Sequence, residues 1–125
     1  MNFVAAHATS RDGCILIERG TLRLEIPAGR TVAVPSGGVA LGIRPESIRL
    51  LPGSAPEGVP STILVTEPAG HNVIVDVMVE GERLRVRGDR DDRRTLLYEP
   101  NTPIRIQIDP AAVHLFHPVT GDRLL

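Results

Sequence analysis

Val73-Ile74-Val75-Asp76-Val77-Met78-Val79-Glu80 places a valine at every second position. Alternate side chains of a β-strand point to opposite faces, so this stretch predicts a strand with one continuous apolar face. The same period of two recurs in the stretches Leu22–Ile26, Leu84–Val86 and Ile104–Ile108. The sequence therefore predicts a fold built from short β-strands.

Turn sequences separate these strands at short, fairly regular intervals. They are Asp12-Gly13, Pro27-Ala28-Gly29, Pro35-Ser36-Gly37-Gly38, Glu80-Gly81-Glu82 and Thr120-Gly121-Asp122. Short strands at this spacing predict an all-β sandwich or small barrel. Helix is expected to be scarce, with one turn at Pro110-Ala111-Ala112-Val113 that has Asp109 as its N-cap.

The chain has 125 residues, a length typical of one domain. Residues 52–60 hold three prolines and two glycines, too many for the interior of a strand. We interpret them as a connector between a first β-rich half, residues 1–51, and a second, residues 61–125.

The composition favours a soluble cytoplasmic protein and excludes several classes of function. The formal net charge is −1, so the overall charge gives no attraction to nucleic acid or to anionic membranes. Cys14 is the only cysteine, which excludes an intrachain disulfide and fits a reducing compartment. There is no lysine to complete a phosphate-binding loop and no Gly-x-Ser-x-Gly motif, so enzyme activity has little support. Since 42% of the residues are hydrophobic but only three are aromatic, the core is expected to be aliphatic.

His114 and His117 are the strongest candidates for a metal site, because two nearby imidazoles often begin a zinc site. In an extended segment, however, positions three apart point to opposite faces of the strand. Cys14 and His71 are distant in sequence. We therefore interpret the two histidines as structural side chains flanking Leu115 and Phe116, and predict no bound metal.

A group of arginines lies in the second half of the chain, and small β-barrels often bind single-stranded nucleic acid through such a face. The arginines are Arg83, Arg85, Arg87, Arg90, Arg93 and Arg94. Five acidic residues between positions 80 and 94 nearly balance them, and stacking aromatics are few. A solvated strand face followed by a charged hairpin is the favoured interpretation, and nucleic acid is not an expected partner.

The run Leu41-Gly42-Ile43-Arg44-Pro45-Glu46 has a plain local interpretation: a strand ends, and Pro45 stops its hydrogen-bonded ladder. A related ending follows near the C-terminus, in Ile108-Asp109-Pro110, Val113–Phe116 and Gly121–Leu124. Together these motifs resemble the C-terminal regulatory domain of the ATP-binding subunit of carbohydrate-importer ABC transporters, a transport-associated OB (TOBE-type) domain. Asn2-Phe3 also fits this family, as does Glu67-Pro68-Ala69-Gly70, expected to open the strand after the connector.

The resemblance implies an OB-like fold and a regulatory, dimer-stabilising role that includes no catalysis and no cofactor in this chain. ATP and Mg²⁺ would bind in a nucleotide-binding domain that precedes it. Expected partners are a second copy, the membrane permease subunits and a regulatory protein, at the inner face of the membrane. The transported molecule would be a sugar, a polyol or glycerol phosphate. The sequence departs from the family pattern at His117, where an acidic residue is more usual, and in the highly charged loop from Gly88 to Thr95.

Four residues of the central run are the candidate regulatory or dimer surface. We expect Arg44 and Glu46 to be exposed contact residues, with Gly42 and Pro45 shaping the backbone. The alternative is that all four residues only end a strand. Two other functions remain open: a standalone oxyanion-binding protein of the molybdate type, with Ser36-Gly37-Gly38 as the suggestive loop, and a free adaptor domain with its own protein partner.

Overall fold

A computed structural model describes residues 1–11, 13–27, 36–89 and 98–124. Within these ranges the chain forms two five-stranded antiparallel sheets and two short 3₁₀ turns, Pro45–Ser47 and Pro110–Ala112. The strands are β1 (Asn2–Arg11), β2 (Cys14–Arg19), β3 (Leu22–Pro27), β4 (Gly37–Ile43), β5 (Ile48–Pro52), β6 (Val59–Ala69), β7 (Asn72–Val79), β8 (Glu82–Asp89), β9 (Pro103–Ile108) and β10 (His114–Phe116). The predicted all-β, OB-like architecture is confirmed.

The strand order is β10-β4-β1-β2-β3 in the first sheet and β5-β9-β6-β7-β8 in the second. Four of the eight neighbouring pairs are consecutive strands, a connection that antiparallel pairing allows: β1–β2, β2–β3, β6–β7 and β7–β8. Strands β5 and β10 each follow a 3₁₀ turn and join the sheet built by the other half of the chain. The two halves are therefore interlocked by one strand each.

The core lies between the sheets and is aliphatic, as the composition predicts. In the described part of the chain, each residue of the core cluster is Val, Ile, Leu or Ala. The four alternate valines of β7 are all buried, and β3 buries Leu22, Leu24 and Ile26 while exposing the residues between them. Full burial of one such side chain stabilises the fold by roughly 1.5–3 kcal/mol.

Strands β1 and β6 lack a continuous period-two signal in the sequence. Strand β1 occupies the middle of its sheet with small side chains, and buries only Val4 and Ala8 along its length. In β6, buried residues alternate with more exposed ones from Val59 to Ile63. The pairing register of β6 with β7 then shifts between Ile63 and Val65. A bulge of this kind disrupts the alternation that would have revealed the strand.

Several predicted boundaries differ from the structure. Gly37 and Gly38 belong to β4, where they pair with Ala8 and His7, and so do not form a hairpin turn. Glu67-Pro68-Ala69 ends β6 instead of opening the strand after the connector. Strands β5 and β6 extend into the predicted connector, to Pro52 and from Val59. The division into halves at these residues stays a prediction.

The predicted turn near the C-terminus is confirmed. Pro110–Ala112 forms a 3₁₀ turn, and the Asp109 carboxylate accepts a hydrogen bond from the Ala111 N–H at 2.9 Å. Proline at the first helical position loses no hydrogen bond there, since that N–H has no partner inside the turn. The first 3₁₀ turn also begins with a proline, Pro45, and is followed by the expected short strand β5.

A buried carboxylate organises the outer face of the second sheet. Asp76 has a side chain only 5% exposed, and it accepts hydrogen bonds from Arg83 Nε at 3.1 Å, Arg83 Nη2 at 2.6 Å and Arg85 Nε at 3.1 Å. Burial raises the pKa of Asp76, but the hydrogen bonds and charges of Arg85 and Arg83 outweigh it, and the net pKa lies below 3.8. Two of the six arginines of the predicted basic face are thus engaged by this one carboxylate.

Replacing Asp76 with asparagine is expected to lower the free energy of unfolding at pH 7 by about 1–2 kcal/mol, since both guanidinium groups are largely exposed and solvent screens them. A depressed pKa in the folded state stabilises the fold above the unfolded-state pKa, and this stabilisation is lost as the pH falls below about 3.8. Urea titrations from pH 7 to pH 2.5 should therefore show a shallower acid loss for D76N than for the parent chain. Glu25→Gln, at an exposed carboxyl on β3, is the control; an equal change in both variants would contradict the assignment.

Candidate functional site

The run Gly42–Glu46 lies where β4 ends and the first 3₁₀ turn begins. Arg44 has an extended backbone and accepts the Ser47 N–H at its carbonyl at 2.9 Å. Arg44 and Glu46 are exposed and Pro45 is half-buried, whereas Gly42 is buried within β4. The two charged residues therefore face solvent as predicted, and Gly42 contributes to the surface only through what packs on it.

Three apolar side chains pack around Gly42 on the outer face of the first sheet. A Cβ built on Gly42 would lie 2.7 Å from Met1 Sδ and 2.8 Å from Phe116 Cε2. Phe3 pairs with Gly42 across β1 and β4, and its ring meets that of Phe116 edge-on at a centroid distance of 5.7 Å. We call Met1, Phe3 and Phe116 the aromatic patch.

The aromatic patch is exposed although its members are apolar. Phe3 is 59% and Met1 49% exposed, and Phe116 is half-buried. These two phenylalanines are the only ones in the chain. Two phenylalanines and a methionine that lie together at the surface have the features of a protein contact site.

The segment after β10 folds back and fixes Phe116. Arg123 forms a β-bridge with Phe116, and the Leu124 N–H donates to the Leu115 carbonyl at 2.7 Å. Arg123 Nη2 lies 3.0 Å from His114 Nδ1. Because a guanidinium can only donate, His114 Nδ1 is the acceptor of this bond. Phe116 therefore packs on Gly42 of β4, and the backbone pairing of Arg123 and Leu124 with β10 fixes its position.

His117 has a structural role as well. Its Nδ1 accepts the backbone N–H groups of Val119 and Thr120, each at 3.1 Å, which closes the turn after β10. In the described part of the chain, no group of three or more His, Cys, Asp or Glu side chains is placed to hold a metal ion. Both histidines accept hydrogen bonds within the C-terminal segment, His114 from Arg123 and His117 from two backbone N–H groups.

A second surface feature is a groove of about 330 Å³. It is open to solvent and is lined by Ser47, Arg49, Gln107, Ile108, Asp109 and Pro110. Arg49 and Gln107 are directly opposed on β5 and β9. Arg49 would attract a small anion and the Asp109 carboxylate would repel it, so the groove favours a ligand that reaches Arg49 and stays clear of Asp109.

The stretch Ser36-Gly37-Gly38, considered above as an oxyanion-binding loop, lies largely within β4 in the structure. Gly37 and Gly38 are part of the β4 ladder, and the Ser36 hydroxyl oxygen accepts the Ser10 N–H at 3.2 Å. Arg90, Arg93 and Arg94 of the predicted basic cluster lie outside the described residues, as does most of the charged loop from Gly88 to Thr95. None of the helical segments that the structure describes has the length and hydrophobicity to cross a bilayer.

Sequence reasoning located the 42–46 run but missed the aromatic patch. Phe3 and Phe116 stand near opposite ends of the chain, and only the β1–β4 and β4–β10 registers bring them together. The sequence offered only a compositional signal, namely that Phe3 and Phe116 are the two phenylalanines of a chain with three aromatic residues. The groove also depends on tertiary pairing, between β5 and β9.

Comparison with solved structures identifies a protein with the same fold. The structure resembles ModG, a cytoplasmic molybdate-binding protein crystallised with molybdate bound, with a TM-score of 0.74. The alignment covers 94% of this chain and 96% of ModG, at 14% sequence identity. No curated protein sequence matches the chain. At that identity the likeness to ModG establishes a shared fold only.

The family model of the TOBE domain matches residues 41–116, which is more than half of the 125-residue chain. The match begins at Leu41, immediately before the Gly42–Glu46 run, and ends at Phe116 of the aromatic patch. This chain belongs to the TOBE domain family.

Proposed function

We propose that this chain is the regulatory and dimer-stabilising domain of the ATP-binding subunit of an ABC importer that takes up a sugar, a polyol or glycerol phosphate. The observation that carries the proposal is the position of the Gly42–Glu46 run, which lies inside the family match and beside the aromatic patch. ATP and Mg²⁺ bind in a nucleotide-binding domain outside this chain. The chain itself contributes binding and no catalysis.

The aromatic patch supports a protein contact as the chain's activity. It offers three apolar side chains at its centre, and Arg44 and Glu46 extend from the neighbouring strand end. Interfaces characteristically combine an apolar centre with a polar rim. Gly42 permits this arrangement, because a side chain there would push Met1 and Phe116 off the sheet.

Such a contact supports transport by holding two ATPase subunits together while they open and close. Reclosure then becomes an intramolecular event, governed by an effective concentration that the tether sets. The same surface can receive regulation: a protein that binds the open arrangement more tightly than the closed one inhibits transport by that difference in affinity. In this proposal the partners are a second copy, the membrane permease subunits and a regulator, at the cytoplasmic face of the membrane.

The coding DNA upstream of the Met1 codon provides the first test. The proposal expects an unbroken reading frame that encodes a phosphate-binding loop of the Gly-x-x-x-x-Gly-Lys-Ser/Thr type. A stop codon followed by a ribosome-binding site directly before Met1 would mean that the domain is made alone, and the importer assignment would then fail.

Oxyanion binding is the second candidate, and the likeness to ModG over nearly the whole chain favours it. The groove supplies Arg49 as a cation, with Ser47 and Gln107 as potential donors. If this candidate is right, titration calorimetry with molybdate gives a saturable signal that R49A weakens at least tenfold. If the chain acts only through protein contacts, the titration gives no heat of binding.

A further inference from the structure

Three arginines of β8 lie in a row on the outer face of the second sheet. Arg83, Arg85 and Arg87 are exposed, whereas Leu84 and Val86 between them are buried in the core. Alternate residues of a strand lie on one face, roughly 6.8 Å apart along it, so the Cα atoms of the three arginines span roughly 13 Å. We call Arg83, Arg85 and Arg87 the arginine row.

A buried carboxylate holds two members of the arginine row in position. Asp76 lies directly opposite Arg85 on β7, and its side chain is 5% exposed. Its Oδ2 accepts from Arg83 and its Oδ1 from Arg85, although both arginine side chains stay 61% exposed. A guanidinium has several N–H donors in a fixed fork. The donors that do not meet Asp76 can bind an acceptor above the sheet, and the ordering of these two side chains is already complete.

The acidic residues that nearly balance these arginines in the sequence are partly sorted away from them in the fold. Glu82 pairs with Arg19 of the first half at 3.1 Å, and the Glu80 carboxylate accepts hydrogen bonds from Thr21. Among the described side chains of β6, β7 and β8, Glu67 is the exposed carboxylate on the outer face. The outer face is therefore more basic than the sequence of this segment indicates.

The spacing of the arginine row matches a ligand whose negative charges repeat along an extended chain. In an extended peptide, side chains two residues apart point to the same side and lie roughly 6.8 Å apart. Acidic side chains at alternate positions can therefore each meet one arginine of the row. Guanidinium and carboxylate groups pair with two parallel hydrogen bonds, which makes such a contact specific in geometry as well as in charge.

Nucleic acid and lipid fit this face less well. Single-stranded nucleic acid is bound through aromatic side chains on which its bases stack, whereas the β7 residues opposite the arginine row are Ile74, Asp76 and Met78. A membrane surface is bound through large apolar side chains that insert. The two phenylalanines of this chain, Phe3 and Phe116, lie on the other sheet. An acidic protein segment needs neither feature.

We propose that the arginine row binds an extended acidic segment of a protein partner, with Asp or Glu at alternate positions. The aromatic patch lies on the outer face of the first sheet and the arginine row on that of the second, so both surfaces can be occupied at once. The proposal is independent of the importer function, since it rests on the side chains of β7 and β8. Binding is expected to be weak and sensitive to salt, because exposed ion pairs are screened.

Two peptides of the same composition test the spacing. The first, Gly-Glu-Thr-Glu-Thr-Glu-Gly, has its glutamates at alternate positions, and the second, Gly-Glu-Glu-Glu-Thr-Thr-Gly, has them in a run. Both are labelled with the same uncharged fluorophore, and fluorescence anisotropy measures their binding in about 10 mM salt, where screening is weak. The first peptide is expected to bind about threefold more tightly, since only two of three adjacent glutamates can face the row.

Three substitutions locate the binding. Arg87→Gln leaves the Asp76 contacts in place and is expected to weaken binding of the first peptide about threefold. Glu67→Gln removes a carboxylate that competes for Arg85 and is expected to strengthen it about twofold. Arg23→Gln is the matched control, since Arg23 is an exposed arginine on β3 of the other sheet, and it is expected to leave the affinity unchanged. Equal urea midpoints show that the variants fold as the parent does.

No binding of the first peptide at low salt would overturn the proposal, and so would equal affinity for the two peptides. An equal loss in R87Q and R23Q would also overturn it, because the attraction would then belong to the whole surface. A short oligothymidylate or phosphatidylserine vesicles that bind more tightly than the peptide, and lose this binding in R87Q, would assign the row to nucleic acid or lipid and overturn the choice of a protein partner.

Discussion

Replacing Gly58 with alanine is expected to lower the free energy of unfolding by about 3 kcal/mol. Gly58 has a φ of +89°, and a Cβ there would lie 2.7 Å from the Ile106 carbonyl oxygen and 3.2 Å from Leu51 Cδ1. A left-handed backbone costs an L-residue roughly 1–2 kcal/mol, and overpacking adds about 1–3 kcal/mol. Arg105 restricts relaxation, because its Nη2 holds the Gly58 carbonyl at 2.6 Å and its Nε the Glu57 carbonyl at 2.8 Å.

Gly13→Ala separates the two causes. Gly13 has a similar φ of +79°, but its Cβ would meet no heavy atom within 4 Å. Its replacement is expected to cost about 1 kcal/mol, from backbone strain alone. Urea unfolding followed by circular dichroism measures both variants, with unchanged m-values as the sign that only stability has changed. Equal losses in the two variants would show that the connector does not pack on β9 as closely as the structure has it.

The elements that the sequence predicted are those with a strong local signal. Strand β7 has valines at alternate positions because its inner face meets the core along its whole length. The turn at Pro110 was predictable because its cap, Asp109, is adjacent in sequence. Strand β1 was missed although it is central in its sheet, since alanine, serine and threonine carry little information about which face is buried.

The candidate site shows the same difference between features with a local sequence signal and features without one. The exposure of Arg44 and Glu46 follows from the strand end before Pro45, which the sequence shows directly. The aromatic patch and the groove each depend on strands that pair across the two halves of the chain, β4 with β10 and β5 with β9. Local periodicity says nothing about which distant strand becomes a neighbour. The exchange of β5 and β10 was for that reason outside the reach of sequence reasoning.

Replacing Phe3 with aspartate is expected to weaken self-association of this chain at least tenfold, if the aromatic patch is the contact surface that the importer function requires. A charge at the centre of an apolar contact must be desolvated without a partner, and the central aromatic side chains of interfaces commonly contribute 2 kcal/mol or more. Phe3 is 59% exposed and outside the core cluster, so the fold itself should lose little stability. Sedimentation equilibrium at high protein concentration measures the effect.

High concentration is needed because the patch is small. Three partly exposed side chains present far less surface than the roughly 800 Å² per partner of a standard interface, so pairing of the chain by itself is expected to be weak. Val119→Asp is the matched control, since Val119 is apolar and 87% exposed but lies in the turn after β10, outside the patch. If both variants associate as the parent does, the patch is not the self-contact, and pairing must use another face. If F3D alone dissociates while its urea midpoint is unchanged, the loss belongs to the contact and not to the fold.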